Sequence, residues 1–145
     1  MRLLKMLKTN QIEDNIRKYL MILEAVANRD FLITFNSNIK DKEGIYVFAD
    51  EIGYHYVVSE RGNEVTHKIT DDIFEICYWA IKPFVSDISY QYELDNREND
   101  INLLELDPRK VAFPKQIELW SLLGENFKKR REIEINEILE EYPYS

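Results

Sequence analysis

Two histidines, one cysteine, one turn arginine and many carboxylates are the residues of this chain whose types can do chemistry. His55 and His67 invite a metal reading, since two imidazoles on neighbouring strands are half of a tetrahedral site. The hairpin read below sets them on opposite faces, and no third ligand accompanies them. His67 is therefore expected as a hydrogen-bonded residue beside Tyr56. Cys77 falls on the apolar stripe of a helix, whereas a nucleophile needs an activated and partly exposed thiolate. Core packing is its expected role. Arg61 stands at the tip of a turn, where its charge either stays in solvent, reaches a partner or folds back onto a carboxylate. The four glycines do not cluster into a phosphate loop. Neither a Gly-x-Ser-x-Gly elbow nor a His-Glu-x-x-His helix is present. The chain is read as non-enzymatic, with no cofactor and no metal.

The elements that would carry these residues follow from periodicity. Ile12, Ile16, Leu20, Leu23 and Ala27 recur at helical spacing over 10–27, with Asn10 and Glu13 placed for a capping box. Four β-prone runs follow at 31–35, 45–49, 54–59 and 64–69. A turn at Arg61-Gly62 pairs Val58 with Val65, Tyr56 with His67 and Tyr54 with Ile69. A turn at Glu51-Ile52 brings Ile45, Val47 and Ala49 to the same apolar face. His55, Glu64 and Lys68 then face water, as expected of an antiparallel meander with one wet face. Gly62 supplies the positive φ of the tight turn.

Thr70 is the expected N-cap of a central helix with two apolar stripes. One holds Ile73, Ile76, Cys77, Ala80 and Phe84, the other Phe74, Tyr78, Ile81 and Val85. Pro83 should kink or split it. Pro114 is expected to open a further helix that Gly124 closes. Phe127, Arg131, Ile135 and Leu139 share a face of the last helix, and the cluster Lys128 to Arg131 reads as helix surface. The fold class is α+β, in a single domain over 1–145. It comprises an N-terminal helix, a meander of about four strands, and a long kinked central helix with C-terminal helices packed on one face of the sheet.

The chain has 145 residues, 45% of them hydrophobic, enough for a core that buries roughly 70% of the unfolded surface. A lone cysteine gives no disulfide and no sign of an oxidising compartment. No run approaches the ~18 apolar residues of a membrane span, and the basic N-terminus lacks a signal-peptide core. A cytoplasmic location without membrane contact is expected. The net charge is −8, and the excess lies entirely in residues 71–145, with seventeen acids against nine bases. Residues 87–107 hold seven acids against Arg97 alone. This segment is either a solubilising surface or a docking face for a basic partner. Direct nucleic-acid binding is disfavoured, because no basic patch offsets phosphate repulsion.

The hairpin Tyr-His-Tyr-Val-Val-Ser-Glu-Arg-Gly-Asn-Glu at 54–64, with Thr70-Asp71-Asp72 opening the central helix, resembles the immunity protein 63 family, which protects bacteria from polymorphic toxins. The likeness continues through Tyr78-Trp79, Tyr92-Glu93-Leu94, Arg97, Arg109-Lys110, Phe113 with Lys115 to Leu119, and Ile138 to Pro143. It covers about residues 44–144, and the chain departs from the pattern at Pro83 and Pro114. The resemblance implies an immunity protein that binds and blocks a cognate toxin by direct occlusion. A basic, nucleic-acid-attacking toxin suits the acidic face. Arg61, Glu93, Asp95, Arg97, Asp100 and Arg109 are the candidate partner-binding residues, with Tyr90, Tyr92, Trp120 and Tyr142 as candidate anchors. Glu93 with Arg97 and Arg109 is expected to brace the fold, and Arg61 to serve recognition. The alternatives are a non-enzymatic adaptor domain and a small enzyme; no oligomeric state is assigned.

Overall fold

A computed structural model describes residues 7–38, 43–99 and 106–145. The elements run α1 (Thr9–Ala27), β1 (Gly44–Ala49), β2 (Tyr54–Glu60), β3 (Asn63–Thr70), α2 (Ile73–Asn99), α3 (Arg109–Leu123) and α4 (Glu125–Glu141). The class is α+β. The chain divides into two compact units, Met1–Lys82 and Pro83–Ser145, so that α2 contributes its first part to one and its second part to the other.

In the first unit, α1 buries Ile12, Ile16, Leu20 and Leu23, the stripe that its spacing announces. Its start differs from expectation. Lys8 is the cap residue, and its N–H donates to Gln11 Oε1 at 2.7 Å, while Asn10 lies inside the helix and Glu13 pairs with Arg17. Thr9 ties this first turn to β1, accepting from the N–H of Ala49 at 3.0 Å.

The sheet has the order β1-β2-β3, all antiparallel. The expected fourth strand is reduced to one parallel bridge, in which Thr34 donates to the Ile45 carbonyl and accepts from Val47 N–H. Phe31 and Ile33 are buried and Leu32 is exposed, so the segment keeps a strand's alternation without its ladder. The β1–β2 register is the expected one, with Ala49 opposite Tyr54 and Ile45 opposite Val58.

The β2–β3 register is corrected. Glu60 faces Asn63 and Ser59 faces Glu64, as the turn dictates. Val65 is then passed over as a bulge, so Val58 faces Thr66, Tyr56 faces Lys68 and His55 faces Ile69. A bulge moves every later side chain of its strand to the opposite face. Val65 and Ile69 are consequently exposed rather than buried, whereas Glu64 and Lys68 are exposed as expected.

The central strand β2 is buried on both faces. Tyr54, Tyr56 and Val47 lie on the face reached by α1 and α2, where Leu7 N–H donates to the Tyr54 hydroxyl and the Lys68 ammonium sits 4.2 Å from the Trp79 ring. Tyr46, Phe48, Val57 and His55 are buried on the other. This reverses the expectation of a wet face there. At the turn Arg61 and Gly62 both take positive φ, 54° and 79°, the pattern of a type I′ loop. The arginine thus shares a conformation expected of glycine alone. Gly53 is needed for close approach, because a Cβ there would meet the Thr70 carbonyl oxygen at 2.9 Å.

Asp72, not Thr70, caps α2, accepting from Phe74 N–H at 2.8 Å; Thr70 sits two residues out, accepting from Asp72 N–H. The helix passes through Pro83 without being split. Ile76, Cys77, Tyr78, Ala80, Ile81 and Val85 are buried, while Ile73 is exposed.

In the second unit α3 starts at Arg109 rather than at Pro114, because Asp107 accepts from Arg109 N–H at 3.0 Å and caps the helix earlier. Pro114 lies inside and deprives the Lys110 carbonyl of its helical donor. The face Phe127, Arg131 and Ile135 of α4 is buried as expected of its spacing, which places Arg131 inside rather than on the surface.

Candidate functional site

In the second unit the polar groups gather into three arrangements. The first lies on α2. Arg97 Nε is 3.1 Å from Glu93 Oε1, and Nη2 donates to Oε2 at 3.4 Å, a fork across one helical turn. Glu93 is 4% exposed, so its charge is held inside by this partner. On the outward side of the same helix Asp87, Gln91, Leu94, Asp95 and Glu98 fall at helical spacing and are exposed. Gln91 Nε2 steadies Asp95 by donating to Oδ1 at 2.9 Å. Tyr92 is exposed beside them, with Lys115 Nζ 4.4 Å from its ring centre.

The second arrangement links three elements. The Ser89 hydroxyl donates to the Ser86 carbonyl, Gln116 Nε2 donates to Ser89 Oγ at 3.0 Å, and Arg131 Nε donates to Gln116 Oε1 at 2.9 Å. Arg131 Nη1 reaches Glu134 Oε1 at 3.1 Å. Basic residues at the head of α4 oppose the helix dipole. For Arg131 the reason is this inward role, since a guanidinium supplies donors that the buried Gln116 amide requires.

The third centres on Arg109 and Asp107. Arg109 Nη2 donates to Asp107 Oδ2 at 2.8 Å, and its two terminal nitrogens also donate to the carbonyls of Tyr142 and Pro143. The Arg109 guanidinium holds the Asp107 carboxyl well below the usual carboxylate range, with the Ser145 N–H adding to the effect.

The first unit holds a different network. His55, buried, stacks on Phe48 with ring centres 4.5 Å apart, and its Nδ1 lies 2.8 Å from His67 Nε2. His67 Nδ1 is 3.0 Å from Glu64 Oε2. His55 Nε2 lies 2.8 Å from Asp50 Oδ1, at ion-pair distance but outside hydrogen-bonding geometry. His55 is the main cause that lowers the Asp50 carboxyl below its usual range. The two histidines therefore share a face, contrary to expectation, because the bulge at Val65 brings His67 round to His55. Their contact needs one proton between the two rings. A carboxylate at Glu64 requires a hydrogen on His67 Nδ1, so neutral His67 accepts at Nε2 and His55 donates from Nδ1. One further proton on His55 Nε2 faces Asp50; a proton on His67 Nε2 instead sets two N–H groups against each other. Among the described residues no group of three or more His, Cys, Asp or Glu is placed to hold a metal ion. Burial pushes the Cys77 thiol up to about 12, the state of an inert core cysteine.

The candidate residues thus separate. Arg61 is exposed at its turn in the first unit. Glu93 and Arg97 pair, Asp95 is exposed, and Asp100 lies outside the described residues. Arg109 takes Asp107 as its carboxylate rather than Glu93. Of the candidate anchors, Tyr92 and Tyr142 are exposed, Tyr90 is half-buried, and Trp120 is fully buried and unavailable. The Asp107 clamp and the Ser89–Gln116–Arg131 chain escape sequence reading. The one available signal was Arg131 standing on an apolar stripe.

A family model, Immunity protein 63, matches residues 50–137, from the turn before β2 to the last turns of α4. The chain belongs to the immunity protein 63 family. Neither the curated proteins nor the solved structures yield a match. Immunity proteins act in general by neutralising toxins, so a toxin is this chain's partner in that general sense. No helix among the described residues is long and apolar enough to cross a membrane.

Proposed function

We propose that this immunity protein neutralises a basic toxin by binding it directly and covering its working surface. Family membership carries this reading, and the surface of the second unit supports it. Glu93 and Asp107 are buried in ion pairs, and Asp95 and Glu98 are exposed on one stripe of α2. A stripe of one sign steers a partner of the opposite sign and speeds encounter, while an aromatic neighbour such as Tyr92 supplies the buried contact that slows release. A toxin that attacks nucleic acid offers the basic cleft that such a surface fits. In this assignment Asp95, Asp100 and Tyr92 touch the toxin. Glu93, Arg97 and Arg109 keep the scaffold in shape, and Arg61 adds a contact from its turn.

The test is co-expression with the cognate toxin, scored for growth and for recovery of a complex. The reading expects rescue together with a complex that survives purification. Rescue with no complex, or a complex that leaves the toxin active, contradicts it.

A further inference from the structure

Residues 142–145 are held in an unusual way. All four are exposed, so burial does not fix them. Their main chain is read instead. Arg109 Nη1 donates to the Tyr142 carbonyl at 2.6 Å and Nη2 to the Pro143 carbonyl at 2.9 Å. Asp107 Oδ2 accepts from the Ser145 N–H at 3.1 Å and from its hydroxyl at 3.4 Å. The readers are themselves pinned, because Arg109 Nε and Nη2 both donate to Asp107 and Asp107 caps α3. Between these contacts Tyr144 turns inward. Its ring lies 5.5 Å from the Arg109 guanidinium, 5.7 Å from the Lys110 ammonium and 6.5 Å from the Phe113 ring. It forms one wall of a groove of about 270 Å³ whose other walls include Phe113, Ile117, Ile135 and Leu139.

Two carbonyls, one N–H and one aromatic ring, all within four consecutive residues, are the elements by which a protein recognises an extended peptide. We propose that Asp107, Arg109 and the α3–α4 groove form a peptide-binding cradle for an extended segment bearing an aromatic side chain, with Tyr142–Ser145 as its tethered occupant. The fork of Arg109 and the carboxylate of Asp107 contact main-chain groups that any sequence carries, so selectivity resides in the aromatic ring that enters between the cations and Phe113. The occupant is exchangeable because a few directed contacts at the surface attach it. Its tether gives it a high local concentration, which a competing segment must exceed. This inference is independent of the toxin reading, since it concerns a peptide site and is tested with a peptide alone.

The probe is a fluorescein-labelled peptide Glu-Tyr-Pro-Tyr-Ser, followed by anisotropy on the full chain. Tyr144→Ala weakens the resident segment and leaves the readers in place. This variant should bind the peptide about tenfold more tightly than the parent chain, because the tethered competitor is handicapped. Adding Asp107→Asn to it should abolish the gain, and a peptide with its second tyrosine replaced by alanine should not bind. In the parent chain, excess peptide should shift the Ser145 amide resonance toward that of a free tail, a readout that needs no variant. Equal peptide binding by parent and Tyr144→Ala chains, or a Ser145 resonance that ignores saturating peptide, overturns the proposal.

Discussion

The polar networks of the two units are built from different cations and span different distances along the chain. In the first unit Asp50, His55, His67 and Glu64 are all contributed by one hairpin and its entry turn, and the links are imidazoles. In the second, Arg131 joins α4 to Gln116 on α3 and through it to Ser89 on α2, while Arg109 reaches 33 and 34 residues along the chain to Tyr142 and Pro143. A guanidinium stays charged at any working pH and offers five donors in a fixed fork. An imidazole carries a charge that acid and base can change, and its two nitrogens swap donor and acceptor roles. The hairpin is therefore locally stitched by groups whose protons can move. The helical unit is bolted across its elements by groups whose protons cannot. A network that ties distant segments together contributes to tertiary structure, whereas one confined to a hairpin adds to an element that its ladder already holds.

The largest expected effect tests the arginine side. Arg131→Met fills similar space but leaves the buried Gln116 carbonyl without its donor, and should cost about 3 kcal/mol in denaturant unfolding. A cost near zero would mean that the cross-helix chain is decorative. On the histidine side, His55→Phe keeps a flat ring against Phe48 and removes the network. It should change stability by no more than about 1 kcal/mol at neutral pH, because a buried polar group replaced by a well-packed apolar one is close to neutral. A loss as large as that of Arg131→Met would erase the contrast.

Acid sharpens it. The Asp107 carboxyl is lowered in the folded chain, so its contribution is complete above the unfolded value of about 4 and is lost only as pH falls further through the folded value. Hydrogen exchange at the Ser145 amide should therefore be flat from pH 8 to pH 5, once corrected for intrinsic rates. Exchange that quickens within that range would mean that the Asp107 carboxylate does not hold the segment. The smallest effect is at the turn. Arg61 occupies φ 54°, which glycine adopts freely, so Arg61→Gly should raise stability by about 0.5 kcal/mol. If the same variant neutralises the toxin less well, the strained arginine serves recognition; if neutralisation is unchanged, Arg61 leaves the contact set.

The sequence carried the periodic part of this structure well. The stripe of α1, the stripes of α2 apart from the exposed Ile73, the β1–β2 register and the turn at Arg61-Gly62 follow from spacing, and the structure has them. The bulge was not legible, because Val65 is a normal strand residue and nothing in its type says that its partner strand will skip it. That one residue explains the exposed Ile69 and the meeting of the two histidines. Helix starts were misread at Asn10, Thr70 and Pro114, since several residues near each boundary can cap and only packing selects Lys8, Asp72 and Asp107. For the site, the family was legible from ordered motifs. The pairing of Arg109 with Asp107 and a distant tail was not, because side-chain contacts across 30 or more residues leave no periodic trace.

The most direct test of the account is the association rate of the purified chain with its toxin, measured between ~0.02 and ~0.3 M salt, with and without Asp95→Lys and Glu98→Lys together. Direct electrostatic occlusion predicts a rate that falls as salt rises, a double variant that is slower at low salt, and convergence of the two at high salt. A rate indifferent to salt and to both charge reversals would contradict it.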